Sequence, residues 1–284
     1  MNLKIADFTI KLFSEKPFQL EEGYLPFVDG DEACVPDVSV ECVSGIPDNL
    51  LDGCKSLFEA RSEDQWFYSV YEYHAGLAFR IFNQQTRNSV QQIAILNETL
   101  NDWKIYTVPG PENDLLPLKY PMGPILLYYL TVNHEAIIIH ASGVFDGEKG
   151  RLFTGFSGFG KTTISNLWKE SGAKLINDDR LIIRKRGNRF FMFNTPMYYP
   201  ALPEEAPLDT IHLIRHAPEN TTKKISGALA VSKVLAFCIQ NNFDKRFIEN
   251  HLDFVNELCS VTSVYETGFL PDAGIVQYMK DHER

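Results

Sequence analysis

The stretch Gly155-Phe156-Ser157-Gly158-Phe159-Gly160-Lys161-Thr162 satisfies G-x-x-x-x-G-K-[ST] at every fixed position. Each fixed residue type has its own physical reason. Glycines let the backbone curl until successive N–H groups converge on one anion, and a helix starting at Lys161 turns its positive end toward the same point. Lys161 adds a mobile cation for outer phosphates, and the Thr162 hydroxyl is a ligand for Mg²⁺. The run from Gly155 through Thr163 is therefore a candidate phosphate cradle. Its context is the one the motif requires: an apolar strand at 151–154 before it, a helix predicted over 161–171 and closed by Gly172, and a further strand at 174–176. Together they read as a βαβ unit. The alternative is a glycine-rich turn with a purely structural role.

Working outward, Asp178-Asp179 follow the strand at 174–176, so they fall at the carboxyl end of a strand in an open α/β sheet. Two adjacent carboxylates beside a magnesium-bound triphosphate can divide the labour. One would hold the metal or its water, and the other would take the proton from an attacking hydroxyl. An acidic turn that merely starts the next strand is the alternative. His140 interrupts an apolar strand, AIIIHASGV (136–144), just before the motif strand. A lone histidine there is commonly a satisfied core group, but if the two strands are neighbours its imidazole emerges near the phosphates and the aspartates.

Upstream the texture changes. Up to about residue 108, short β-branched and aromatic runs at 5–12, 34–42, 66–73, 77–82 and 103–108 alternate with turn residues, which predicts antiparallel β structure. WFYSVYEY and LAFRIF flank His74-Ala75-Gly76, a three-residue hairpin loop with Gly where positive φ is needed. The breaker-rich segment 109–114 is the expected linker, dividing a β-rich domain at 1–112 from a P-loop domain at 113–284. The second begins with a buried helix at 121–132. Further strands are expected at 181–184, 189–193 and 210–216, and helices at 228–240 and 246–258.

Composition excludes several classes of function. With 27 Lys and Arg against 37 Asp and Glu, the formal charge of −10 repels a nucleic-acid backbone. No run approaches the ~18–20 apolar residues of a membrane span. The start, MNLKIADFTIKLF, carries Asp and Lys through what would be the core of a signal peptide, so the expected location is cytoplasmic. Five scattered cysteines without C-x-x-C suggest neither a disulfide framework nor a zinc ribbon.

The strand carrying His140, the loop GFSGFGKTT and then LINDD together resemble the catalytic domain of HPr kinase/phosphorylase, across roughly residues 120–280. GFSGFGKTTIS also resembles the P-loop of ATP-dependent phosphoenolpyruvate carboxykinase, whose nucleotide core is of the same structural class; that enzyme is nearly twice as long, and its other substrate-binding elements are not evident here. The resemblance implies an α/β P-loop domain, which the smaller antiparallel β-rich domain read from the upstream runs precedes, and transfer of the γ-phosphoryl group of ATP, with Mg²⁺, to a hydroxyl, usually a serine on a protein. It implies that Lys161 binds the outer phosphates, that Thr162 and Asp179 serve the metal, that Asp178 is the base and that His140 lines the acceptor side. Relatives assemble into multimers, so a homo-oligomer is admitted. Two departures count against a reverse phosphorylase activity and against HPr as acceptor: Thr163 stands where such kinases place an acidic residue, and no later glycine-rich stretch is present.

Three secondary candidates remain. Residues 197–207, with three prolines and two tyrosines, form a long irregular stretch that suits an acceptor-binding flap or a self-packed loop. Arg215, His216, Lys223 and Lys224 are a basic grouping, from which Arg215 is the nominee for neutralising a transferring phosphoryl group; a solvated loop is the alternative. The aromatic hairpin at 66–82 reads as core, or as a platform for a peptide. The expected function is thus a protein or peptide kinase. Its rivals are a kinase of a small metabolite hydroxyl and a nucleotide-binding scaffold or sensor without catalysis.

Overall fold

The computed structural model describes residues 1–31, 34–86, 89–110, 113–241 and 243–283. It divides into two compact units, Met1–Asn133 with Pro196–Leu202, and His134–Thr195 with Pro203–Arg284. The division falls after Asn133, not at the expected boundary of 112, and Pro111 and Glu112 of the expected linker lie outside the described residues.

The first unit contains strands β1 (Asn2–Ile5), β2 (Phe8–Phe13), β3 (Val28–Asp29), β4 (Val38–Ser44), β5 (Ser56–Arg61), β6 (Trp66–Tyr73), β7 (Gly76–Phe82), β8 (Val90–Leu96) and β9 (Asp102–Thr107), a 3-10 helix η1 (Glu22–Phe27) and helix α1 (Met122–Val132). Among the described residues the strands form one nine-stranded sheet in the order β3-β1-β2-β4-β9-β8-β7-β6-β5. The antiparallel expectation holds for the meander β5 to β9, but β2 with β4 and β4 with β9 run parallel, so the sheet is mixed. Helix α1 belongs here because its nearly all-apolar surface is buried with this sheet's core. The Tyr129 ring lies 5.1 Å from Phe79 and 5.9 Å from Trp103, which holds the helix in this unit. The β6–β7 hairpin is tighter than expected. Tyr73 pairs with Gly76, leaving His74 and Ala75 as a two-residue loop, and it is His74 that takes positive φ. Gly76 is needed for a different reason: a Cβ there would sit 2.1 Å from the Leu96 carbonyl oxygen.

The second unit contains β10 (Ala136–Phe145), β11 (Gly150–Thr154), β12 (Lys174–Asn177), β13 (Arg180–Arg186), β14 (Arg189–Asn194), β15 (Glu205–Pro207), β16 (Thr210–His216), β17 (Thr221–Ile225) and β18 (Ser263–Phe269), with helices α2 (Lys161–Glu170), α3 (Gly227–Leu235), α4 (Lys245–Val261) and α5 (Gly274–His282). The strands run in the order β15-β14-β13-β10-β11-β16-β18-β17, with β12 beside β10. Among the described residues only β11, β16 and β18 are parallel neighbours; the other pairings are antiparallel. Period-two alternation sends successive side chains to opposite faces. Leu152, Leu213 and Val264 pack with Val231, Val234 and Val255 of α3 and α4 on one face. Phe153 and Ile214 pack with Ile164, Trp168, Ile275 and Met279 of α2 and α5 on the other. The sheet is thus covered on both faces, a mixed α/β layering. No helix among the described residues is long and apolar enough to cross a membrane.

A buried polar cluster anchors the end of α5 beneath β11. The Arg151 guanidinium, 2% exposed, pairs with Glu283 at 2.9 Å and with Asp146 at 2.7 Å, and it lies 4.2 Å from the centre of the Trp168 ring. His212, fully buried, meets Thr267 Oγ1 through Nδ1 at 2.9 Å and Glu283 Oε1 through Nε2 at 3.1 Å. Nε2 also lies 3.0 Å from Thr210 Oγ1, so a neutral ring accepting from Thr267 at Nδ1 carries one Nε2–H that Glu283 and Thr210 share.

Candidate functional site

The glycine loop leaves the carboxyl end of β11 and opens α2, as the motif requires. Gly158 and Gly160 both have positive φ, +83° and +90°, and Gly160 is the residue from which the helix starts. No side chain caps that start. The helical ladder begins with the Ile164 N–H donating to the Gly160 carbonyl, which leaves the amides of the first turn for an anion. The buried face of α2 is Lys161, Ile164, Ser165 and Trp168, a spacing that seats the helix on the sheet and turns Thr162 and Thr163 outward. Ser157, Phe156 and Phe159 are exposed at the loop. Phe156 stacks edge-on with Phe159 and Phe237, at 5.5 and 5.3 Å between ring centres.

Lys161 folds back across the loop, its Nζ donating to the Gly155 carbonyl at 3.0 Å and to the Phe156 carbonyl at 3.4 Å. Burial lowers its pKa, and the charge of Asp179 opposes that shift, so the ammonium and the carboxylate feel one another. The carbonyl contacts are ones that phosphate oxygens, being charged, would outcompete.

β10 and β11 are neighbours in the sheet, Ala141 pairing with Thr154, so His140 stands beside the first residue of the loop. The Thr154 hydroxyl donates to the His140 carbonyl at 2.8 Å. On its other edge His140 pairs with Arg180, and the Ala141 N–H donates to the Asp179 carbonyl at 3.1 Å, which ties the acidic turn to β10. His140 Nε2 lies 3.4 Å from Asp179 Oδ1, and Arg180 Nε lies 3.7 Å from Oδ2. The His140 hydrogen bond holds the Asp179 carboxyl below its ordinary value against the effect of burial, with Arg180 and Lys161 adding to the shift. Asp178 is half-buried next to it. His140, Lys161 and Asp179 are therefore one cluster, with Asp178 adjoining it in the same turn.

Two residues not singled out from sequence hold that turn. Asn177 donates from Nδ2 to the Arg180 carbonyl at 2.7 Å and to Thr195 Oγ1 at 3.4 Å, while its Oδ1 accepts from the Asp178 N–H at 3.0 Å. Thr195 also donates to the Arg180 carbonyl, at 3.2 Å. Asn177 adjoins the acidic pair and is a turn-forming type, which is a readable signal; Thr195, 18 residues along, gives none. Other expectations fared differently. The stretch after Asn194 is not irregular throughout: Pro196–Leu202 group with the first unit, while β15 pairs with β14. Arg215 is exposed at the end of β16; the Lys233 hydrogen bond holds the Glu266 carboxyl below its ordinary value, and the charge of Arg215 adds slightly to that shift. A cleft of about 450 Å³ belongs to the first unit, between residues 50–55 and the β6–β7 hairpin, and includes none of the expected site residues.

The donor set suits Mg²⁺ held together with a polyphosphate. Among the described residues no group of three or more His, Cys, Asp or Glu could hold a metal by itself. Mg²⁺ in phosphotransfer sites is held by one or two carboxylates and by phosphate oxygens, however. Asp179 is held ionised, and with His140 on one oxygen at 3.4 Å and Arg180 on the other at 3.7 Å its carboxylate keeps further lone pairs for a cation.

No family model matches the chain, and no curated protein matches it. Among solved structures, the Hpr(Ser) kinase/phosphatase from Coxiella burnetii is similar at 11% identity and a TM-score of 0.29, over 51% of this chain and 97% of that one. By itself that degree of likeness assigns neither a family nor an activity.

Proposed function

We propose that this chain is an ATP- and Mg²⁺-dependent phosphotransferase that passes the γ-phosphoryl group to a hydroxyl, on a protein or peptide side chain. One observation carries the reading: an uncapped helix start and a lysine folded over a glycine loop share one site with an ionised aspartate braced by His140. A binding scaffold has use for the loop, the lysine and a metal-holding Asp179, and none for a second carboxylate, Asp178, placed as a base.

In this reading the loop amides and Lys161 hold the outer phosphates. Mg²⁺ would be held by Thr162 and Asp179 and would supply charge neutralisation on the β- and γ-oxygens. Asp178 accepts the proton of the acceptor hydroxyl as that oxygen bonds to the γ-phosphorus, and the bond from phosphorus to the β,γ-bridging oxygen breaks to release ADP. His140 keeps Asp179 ionised and oriented. Phosphoryl transfer asks for little covalent help, so positioning and charge carry most of the rate.

The test is incubation with γ-labelled ATP, Mg²⁺ and a native cell extract. Label on a protein that depends on Asp178 supports the proposal. Label released only to water, or equal transfer by the Asp178→Asn variant, would end it.

A further inference from the structure

The two flanks of the glycine loop are chemically different. On the β10 side stand His140, the acidic turn and Arg180. On the other side is β16, parallel to β11 in the register Thr154 to Leu213. Where β11 ends and the loop begins, β16 runs on through Ile214, Arg215 and His216. Both ends of the loop rest on this overhang. A Cβ on Gly155 would lie 2.8 Å from the Ile214 carbonyl oxygen, and one on Gly160 would lie 3.0 Å from His216 Cε1 and 3.2 Å from His216 Nε2. The imidazole therefore abuts the residue that starts α2.

His216 is also braced from behind. It pairs with Phe269 of β18, whose buried ring lies 5.1 Å from the imidazole centre. The turn beyond is tied down by the Ala217 N–H donating to the Phe269 carbonyl at 3.1 Å and by Asn220 Oδ1 accepting from the Leu270 N–H at 2.8 Å. His216 itself is exposed. An exposed flat ring, fixed at the carboxyl ends of adjacent parallel strands and touching a phosphate loop, stands where α/β sheets bind the remainder of a nucleotide.

We propose that His216 packs against the nucleoside half of the bound nucleotide, the polyphosphate running from it across the loop toward the acidic turn. The polarity follows from the flanks. The transferring phosphate must end beside the base and the metal-holding carboxylate on the β10 side, so the sugar and base leave on the β16 side. This inference rests on the phosphotransferase reading and adds to it a second wall of the site, formed by an imidazole and not by the loop.

The test is calorimetric titration of the full chain, wild type, His216→Ala and the milder His216→Gln, with magnesium complexes of ATP, ADP and inorganic tripolyphosphate. Loss of a stacked or packed contact to a base is worth about a tenfold loss in affinity. The expected result is a roughly equal drop for ATP and ADP in both variants, with tripolyphosphate binding unchanged, which also certifies that the variants are folded. Wild-type affinity for ATP in both variants overturns the assignment of His216, and so does a parallel loss of tripolyphosphate. A wild-type protein that binds none of the three removes the phosphate-loop reading itself, a distinguishable failure.

Discussion

Asp178 and Asp179 are the same residue type in adjacent positions, yet their surroundings separate them. Asp179 is held ionised by His140, Arg180 and Lys161, as the metal role proposed for it requires, while Asp178 stands beside it in a turn fixed by Asn177. Asp178→Asn is expected to bind MgATP within about twofold of wild type and to lose roughly 10²–10⁴ in turnover; equal losses of affinity and turnover would contradict the assignment. The buried cluster at Arg151 gives a pH effect of definite sign. Burial pushes the Asp146 and Glu283 carboxyls up, but backbone N–H groups and Arg151 at Asp146, and His212 and Arg151 at Glu283, bring both below their ordinary values. Burial lowers the His212 value against the pull of Glu283. The unfolded chain therefore takes up protons that the folded one refuses, first below about pH 6.5 at the imidazole and then below about pH 4 at the carboxylates. The urea midpoint is expected to fall steadily from pH 7 to pH 4, and Glu283→Gln to cost about 3 kcal/mol at pH 7. A midpoint flat across that range would contradict this. The loop residues and the acidic pair were legible because each signal is local. Arg151 with Glu283, 132 residues apart, was not, since neither residue carries a mark of its partner.

At the scale of elements, the glycine loop discriminates between two kinds of glycine. Gly158 has positive φ and open space around its Cα, whereas Gly160 has positive φ and would drive a Cβ into Phe269 and His216. Gly158→Ala is expected to cost about 1 kcal/mol, the penalty of the left-handed conformation alone, and to keep nucleotide affinity. Gly160→Ala is expected to cost about 2–4 kcal/mol and to abolish binding, because either the helix start or the β16 overhang must move. Urea titration with parallel nucleotide binding checks both; equal costs would mean that the packing around Gly160 is not as described. Elements with strong periodicity were readable from sequence, the strand at Thr210–His216 to the residue and α2 nearly so. β17, with Lys223 and Lys224 in an edge strand, and β18, where Glu266 and Gly268 interrupt the apolar pattern, were missed. Both are set by pairing with distant strands, which local pattern does not report.

At the scale of the whole molecule, α1 is apolar enough for either unit, and contacts with Phe79 and Trp103 place it in the first, beyond the expected boundary at 112. The formal charge of −10 makes an uncomplexed nucleotide tetra-anion a poor guest, so binding is expected to need Mg²⁺. At a hundredfold excess over the dissociation constant, MgATP would stabilise the folded chain by about 2.7 kcal/mol, a rise in melting temperature of roughly 5 °C; ATP with a chelator should give a smaller shift, and an equal one would contradict the magnesium requirement. The most direct measurement of the central claim is titration of the wild-type chain and of Lys161→Ala with MgATP by calorimetry. Saturable binding of one nucleotide per chain, weakened at least about a hundredfold by the substitution, is the expected result, since a charge-assisted contact to phosphate is lost. No binding by the wild type, or the same affinity in both proteins, would contradict it.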